Sequence, residues 1–210
     1  MRTLIAVPCM DEMDVGFVRS LVNLKRVGDT AVNFVSGSLI YQAREKLAAI
    51  AVDEESDYVL WLDSDMVFPS TLMLDLIAQD KDIITGICAA RRAPYYPCIY
   101  RNNNGAMEPI LDFGSRLVEV DSCGFAVLLM KTHILEEMFN KYNTCFQPVL
   151  GYGEDFSFCL RAKEMGYKIW ADPNIEIGHI GKTVISKNAY RRFANADKSE
   201  AGVEDHNNSL

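Results

Sequence analysis

The chain has no apolar run long enough to cross a bilayer, no Cys-x-x-Cys pair, no excess of positive charge and no internal repeat. The first absence excludes a helical membrane span. The opening Arg2-Thr3-Leu4-Ile5-Ala6-Val7 is also too short for a signal h-region and runs straight into polar sequence, so it reads as a buried strand. The second absence argues against a zinc site, because the clustered ligand spacing is missing. Six cysteines, at positions 9, 88, 98, 123, 145 and 159, lie scattered in mostly apolar surroundings. They read as small buried residues of a reducing compartment, which makes the cytoplasm the expected location. A formal net charge of -8 repels nucleic-acid phosphates and anionic membranes and so excludes non-specific binding to either. It leaves open a local phosphate site built around a bound cation.

What is present is enough apolar sequence for a full core. Of 210 residues 49% are hydrophobic, which fits one domain or one domain with a small extension. Strand-like Leu4–Val7 ends at Pro8, and Phe17, Val18, Leu21 and Leu24 recur at helical spacing. Ala31–Val35 is a short β run. Ile40, Ala43, Leu47, Ile50 and Ala51 mark one face of a helix, and Tyr58–Leu62 is apolar on both faces, as a central strand is. Ser70 is the expected N-cap of a helix carrying Leu72, Met73, Leu76 and Ile77, and Asp82–Ile87 is the next strand. This alternation of β and α predicts a mostly parallel sheet covered on both faces. After Ala90 the rhythm changes to short strands and turns. A central strand is expected over 124–130, helices over Thr132–Tyr142 and Asp155–Met165, and short strands over Lys168–Ala171 and Ile175–Ile177. In the second of these helices Phe156, Cys159, Leu160 and Lys163 share one side, and Gly166 supplies the stop. From about Asn195 the sequence is polar and reads as a flexible tail.

Open α/β sheets bind ligands at the carboxyl ends of their strands, and Asp63-Ser64-Asp65 follows the central strand there. Two carboxylates two residues apart in a turn can converge on one Mg²⁺ or Mn²⁺; the same triplet is also an ordinary acidic loop. His179, after Gly178, is either a ligand that tilts the choice toward Mn²⁺ or a loop histidine with a satisfied ring. Glu154 and Asp155 open a helix whose N-terminus, with a nearby cation, favours their ionised forms. An ionised carboxylate there can accept a proton from an attacking hydroxyl, or simply complement the helix dipole. Gly151 and Gly153 allow backbone to approach a ligand. Arg44 either reaches a phosphate or base or lies solvated on its helix. The basic residues Lys182, Lys187, Arg191 and Arg192 either close over a pyrophosphate or form a solvated face. Tyr95 and Tyr96 either stack on a sugar or base or, as the commoner case, pack in the core; Trp61 and Trp170 are expected in the core.

Taken in order, these residues resemble the GT-A glycosyltransferases, in particular the small family-2-like members. The match runs from Val7-Pro8 through Ala43-Arg44, Leu62-Asp63-Ser64-Asp65-Met66-Val67-Phe68-Pro69, Gly124-Phe125, Gly153-Glu154-Asp155-x-x-Phe158-x-x-Arg161 and Gly166–Pro173 to Gly178-His179. The resemblance implies an α/β fold of GT-A (Rossmann-like) type. This would be a single domain over 1–194 with a mixed, mostly parallel central sheet flanked by helices. Residues 1–90 would form its nucleotide-binding half and 91–194 its acceptor half. It implies transfer of a sugar from a nucleotide-sugar donor, UDP- or GDP-linked, to an acceptor hydroxyl, with Mn²⁺ or Mg²⁺ as cofactor. Asp65 and His179 would hold the metal, and Asp63 would contact the ribose or reach the ion through water. Val7, Pro8, Arg44 and Ser64 would line the nucleotide pocket with the two aspartates. Asp155 would be the base of an inverting reaction, and Gly124, Gly153 and Glu154 would stand on the acceptor side. The chain departs from the pattern at Asp11-Glu12, where Asn-Glu is often found, and is shorter than many members. Neither acceptor nor oligomeric state is specified. One rival is a sugar nucleotidyltransferase, which usually carries a Gly-rich basic loop after the first strand; here Pro8–Asp14 is acidic and without glycine. The other is a non-catalytic nucleotide-sugar-binding module, which has no use for Asp155.

Overall fold

The computed structural model describes residues 1–181; Lys182, Lys187, Arg191, Arg192, the boundary at 194 and the tail lie outside the described residues. In chain order the elements are β1 (Arg2–Pro8), α1 (Val15–Asn23), β2 (Asp29–Val35), α2 (Ile40–Asp53), β3 (Tyr58–Leu62), β4 (Met66–Val67), α3 (Leu72–Ala78) and β5 (Ile83–Gly86). There follow β6 (Ile99–Asn103), β7 (Ala106–Pro109), β8 (Val118–Val120), β9 (Ser122–Cys123), β10 (Val127–Lys131), α4 (His133–Tyr142), α5 (Glu154–Glu164), β11 (Ile169–Asp172) and β12 (Gly178–His179).

Seven strands form the main sheet in the order β2-β1-β3-β10-β5-β11-β8. The strands β1, β2, β3, β5 and β11 run one way, and β10 and β8 run against them. The sheet is therefore mixed but mostly parallel. The inner strands are apolar on both sides because helices cover both faces. On one face Ile5, Val7, Leu60 and Leu62 pack against Phe17 and Leu21 of α1 and Leu72, Met73 and Leu76 of α3. On the other, Leu4, Ala6, Val59 and Trp61 meet Leu47 and Ala51 of α2, Ile134 and Met138 of α4, and Phe158 of α5. Each such fully enclosed side chain contributes about 1.5–3 kcal/mol.

Two small ladders complete the fold. β7-β6-β9 is an antiparallel three-stranded sheet, and β12 pairs antiparallel with β4, Gly178 opposite Val67 and His179 opposite Met66. This second ladder needs glycine: a Cβ at 178 would lie 2.5 Å from Val67 Cγ2. At the far end of α5, Gly166 at φ +90° turns the chain toward β11, a conformation that side-chain-bearing residues avoid.

Several local expectations are corrected. Helix α3 begins at Leu72 after Thr71; the Ser70 carbonyl instead accepts from Lys25 N–H at 2.8 Å. The strand expected over Ile175–Ile177 is displaced to Gly178–His179, where β4 offers a partner. The inner face of α5 carries Ser157, Phe158, Cys159, Arg161 and Ala162, whereas Phe156 stacks on Tyr152 outside the core cluster and Lys163 pairs with Asp121 at 2.6 Å. Tyr95, 62% exposed, and Tyr96 stand at the surface. Trp61 is enclosed as expected, but Trp170 is only half-buried, with the Lys81 and Lys168 ammonium groups over its ring at 5.3 and 5.8 Å.

Candidate active site

The carboxyl ends of β1, β3 and β5 and the entry into antiparallel β10 lie along one edge of the sheet, and a cleft of about 430 Å³ opens there. Pro8, Arg44, Asp63, Ser64, Asp65, Gly124, Glu154, Asp155 and His179 all line it. Val7 does not, being fully enclosed beneath Pro8 in the core. Gly153 does not either: it precedes α5, and its carbonyl accepts from Ser157 N–H and Oγ at 3.0 and 2.7 Å.

The Asp63–Asp65 turn is fixed from three sides. Asp63 N–H donates to Ala126 O at 2.9 Å, Asp14 N–H donates to Ser64 O at 3.4 Å, and Ile180 N–H donates to Asp65 O at 2.8 Å. The last bond extends the β4–β12 ladder, which is how His179 arrives beside Asp65 from far down the chain. Its Nε2 stands 3.4 Å from Asp65 Oδ2, and its Nδ1 lies 2.9 Å from Ala89 O. With Nδ1–H donating to that carbonyl, Nε2 is the nitrogen left facing the carboxylate. The hydrogen bond to Asp65, against burial, raises the His179 pKa. Burial would raise Asp65, but the His179 ring and Arg91 together bring it below the ordinary carboxylate range. Among the described residues no group of three His, Cys, Asp or Glu side chains could hold a metal ion. The pair that meets is Asp65 and His179.

Asp63 turns away from that pair. Its Oδ1 accepts from Arg44 Nη2 at 2.9 Å, while Arg44 Nε lies 3.4 Å from Glu154 Oε1. Arg44 is 2% exposed and is neither solvated nor free to leave, because its guanidinium also lies 5.2 Å from the Phe125 ring and 5.9 Å from Trp61. Those rings pack edge-to-face with each other and with Phe146. The aromatic floor and the buried cation thus tie α2, the end of β3 and the start of α5 into one rigid wall. Burial raises the Asp63 pKa, and Arg44 only partly offsets it.

Asp155 stands at the first turn of α5 with Oδ1 accepting from Phe156 N–H at 2.8 Å. Burial and the neighbouring Glu154 push its pKa up to about 6 in spite of that bond and Arg44. Desolvation and like charge outweigh the helix terminus here, yet a pKa of about 6 leaves the carboxyl mostly ionised at neutral pH. The result is a carboxyl poised near neutrality, suited to exchanging a proton.

The sequence reading missed three features. The Arg44–Glu154 pair had a signal, since Arg44 falls between Ile40 and Leu47 on the apolar face of α2. Arg91, which donates from Nη1 to Asp65 Oδ2 at 2.8 Å, and Ala89 O sit on a loop without a recognisable pattern. Cys88 and Cys98, expected only as small core residues, line the cleft, with Cys88 buried and Cys98 half-buried.

Solved structures share this architecture over most of the chain. A197 from STIV superposes with a TM-score of 0.61 at 19% identity, covering 86% of each chain. GalNAc-T7 with UDP, GalNAc and Mn²⁺ gives 0.61 at 10% identity, covering 94% of this chain and 47% of that one. S. aureus TarS 1–349 with UDP-GlcNAc gives 0.56 at 15% identity, covering 89% and 60%. The chain has the GT-A fold. The Anp1 family model matches residues 31–104, about a third of the GT-A chain, a stretch that includes Arg44, Asp63, Asp65 and Arg91 but neither Asp155 nor His179. No curated protein matches its sequence. Among the described residues of this GT-A domain no helix is long and apolar enough to cross a membrane.

Proposed function

We propose that the chain is a glycosyltransferase that moves a sugar from a UDP- or GDP-linked donor to an acceptor hydroxyl with inversion, using a divalent cation. The observation that carries this reading is the meeting of Asp65 and His179, 3.4 Å apart, in a cleft that Asp155 also lines. Support comes from the GT-A fold, from neighbours solved with UDP, Mn²⁺ or UDP-GlcNAc, and from the partial match to the Anp1 glycosyltransferase family.

A carboxylate oxygen and an imidazole nitrogen oriented by a backbone carbonyl suit Mn²⁺, or Mg²⁺ less well, and two protein donors would leave room for a nucleotide diphosphate. Asp65 and His179 would hold it, and when bound it neutralises charge on the leaving diphosphate. Pro8 and Ser64 line the donor side, and Asp63, braced by Arg44, faces the nucleotide. On the acceptor side Gly124 and Glu154 flank the acceptor hydroxyl. Asp155 takes the proton of that hydroxyl as its oxygen bonds to the anomeric carbon and the bond to the nucleotide oxygen breaks. Residues 1–90 supply most of the donor half and residues from 91 on the acceptor half, with His179 returning to the donor side. Six unpaired cysteines support a reducing compartment, the cytoplasm.

The test is incubation with UDP- and GDP-sugars and Mn²⁺, without added acceptor, followed by proton NMR. Slow release of nucleoside diphosphate with an initially inverted anomeric proton is expected. A retained anomer, or pyrophosphate released when UTP or GTP and a sugar 1-phosphate are supplied in place of the nucleotide sugar, contradicts the reading.

A further inference from the structure

The loop from Cys88 to Cys98 leaves the carboxyl end of β5 and closes on itself, Cys98 N–H donating to Cys88 O at 2.8 Å and Ala90 N–H to Tyr96 O at 2.9 Å. It touches the Asp65–His179 pair twice. At its base Ala89 O accepts from the His179 ring, and at its tip Arg91 reaches Asp65. The acceptor of Arg91 is Oδ2, the same oxygen that faces His179 Nε2. One carboxylate oxygen therefore serves both the imidazole and a guanidinium, in the place where a divalent ion would bind.

That ion pair is easily broken. Arg91 is 57% exposed, its tether is that contact with Asp65, and exposed pairs hold weakly. A doubly charged ion on Asp65 repels a guanidinium at this distance and takes the lone pairs it used. The displaced side chain remains in the cleft, beside whatever anion the metal carries. Its planar fork of donors matches phosphate oxygens. Arg44, by contrast, is immobilised by Asp63, Glu154 and the aromatic floor, so among the described residues Arg91 is the cleft-lining arginine with freedom to move.

We propose that Arg91 is an exchangeable phosphate-binding cation, holding Asp65 before a divalent ion binds and passing to the nucleotide diphosphate once the ion has taken that carboxylate. This rests on the reading of the cleft as a nucleotide-diphosphate site, and adds to it a residue with opposite effects on the two ligands. Before metal binds, Arg91 competes with it; after, Arg91 assists the nucleotide. In the free protein Arg91 also keeps Asp65 neutralised.

The experiment is titration calorimetry on the full chain and on Arg91→Gln, with Mn²⁺ alone, and then with UDP and GDP at saturating Mn²⁺. The variant should bind Mn²⁺ alone roughly 3- to 10-fold more tightly, for loss of a competing charge. It should bind the nucleoside diphosphate about tenfold more weakly, for loss of a charge-assisted hydrogen bond. Arg91→Lys, which keeps the charge and loses the fork, should match wild type for Mn²⁺ and fall between the two for nucleotide. Equal melting temperatures confirm that the exposed substitution leaves the fold intact. If wild type binds Mn²⁺ and nucleotide but both constants move the same way in Arg91→Gln, or either stays put, the exchange is wrong and the donor-site reading stands. If wild type binds neither, both fall together.

Discussion

At the scale of single residues, function here comes from unfavourable placement. Asp155 is buried beside Glu154, so its ionised form is destabilised and its pKa rises to about 6. A folded-state pKa above the unfolded value near 4 means that the native state binds the extra proton in that window. The favourable contribution of the protonated group is fully present below about pH 4 and is lost as pH rises through about 6. Replacing it with Asn removes the ionisation. Asp155→Asn is therefore expected to be more stable than wild type at pH 7.5 by up to about 3 kcal/mol, with the difference vanishing below about pH 4. Turnover should fall roughly 10²–10⁴-fold. Urea unfolding at both pH values, with turnover measured alongside, checks it. A variant that loses activity while losing stability at pH 7.5 would make Asp155 structural. The acidic pair, the histidine and this carboxyl were visible in the sequence because each followed an apolar strand or opened a helix. Two of the partners that tune them were invisible. Arg91 and Ala89 O reach them through folded proximity, which no local pattern encodes, whereas Glu154 stands next to Asp155 in the chain.

At the scale of elements, polar side chains decide where the pieces meet. Glu45 on α2 accepts from the backbone N–H of Cys145 at 2.9 Å and of Phe146 at 2.7 Å, and from Thr144 Oγ1. It pins the segment after α4 so that Phe146 enters the aromatic cluster under Arg44. Arg161 does the same from α5, donating to Cys145 O at 3.0 Å and Gln147 O at 2.6 Å. Glu45→Ala would leave two backbone donors without their acceptor. A loss of about 2–3 kcal/mol in urea unfolding is expected, well above the few tenths typical of a solvated helix glutamate. These bonds also explain why the buried face of α5 was misjudged from sequence. Apolar spacing favours Phe156 and Leu160, but Ser157 and Arg161 bring their own partners inward. The strands were easier to read. Tyr58–Leu62 is apolar throughout because both its faces are covered, and its boundaries in the sequence and in the structure coincide.

At the scale of the whole molecule, the order of strands does the gathering. β3 and β5 deliver their carboxyl ends to one edge, antiparallel β10 begins there, and the β4–β12 ladder folds the chain back across it. The alternation of β and α announced a covered parallel sheet, and the ordered motifs implied a GT-A fold, which the superposed structures bear out. The reversed β10 and the β6–β7–β9 ladder were not legible, because strand direction depends on partners distant in sequence. The remaining wager is that this gathering makes a cation site for a nucleotide diphosphate. Calorimetry of UDP and GDP binding with Mn²⁺ and with chelator, in wild type, Asp65→Ala and His179→Ala, tests it most directly. Binding that requires Mn²⁺ in wild type and weakens at least about tenfold in each variant, at similar melting temperature, is the predicted result. Equal affinity with metal and with chelator, or variants that bind as wild type does, would contradict it.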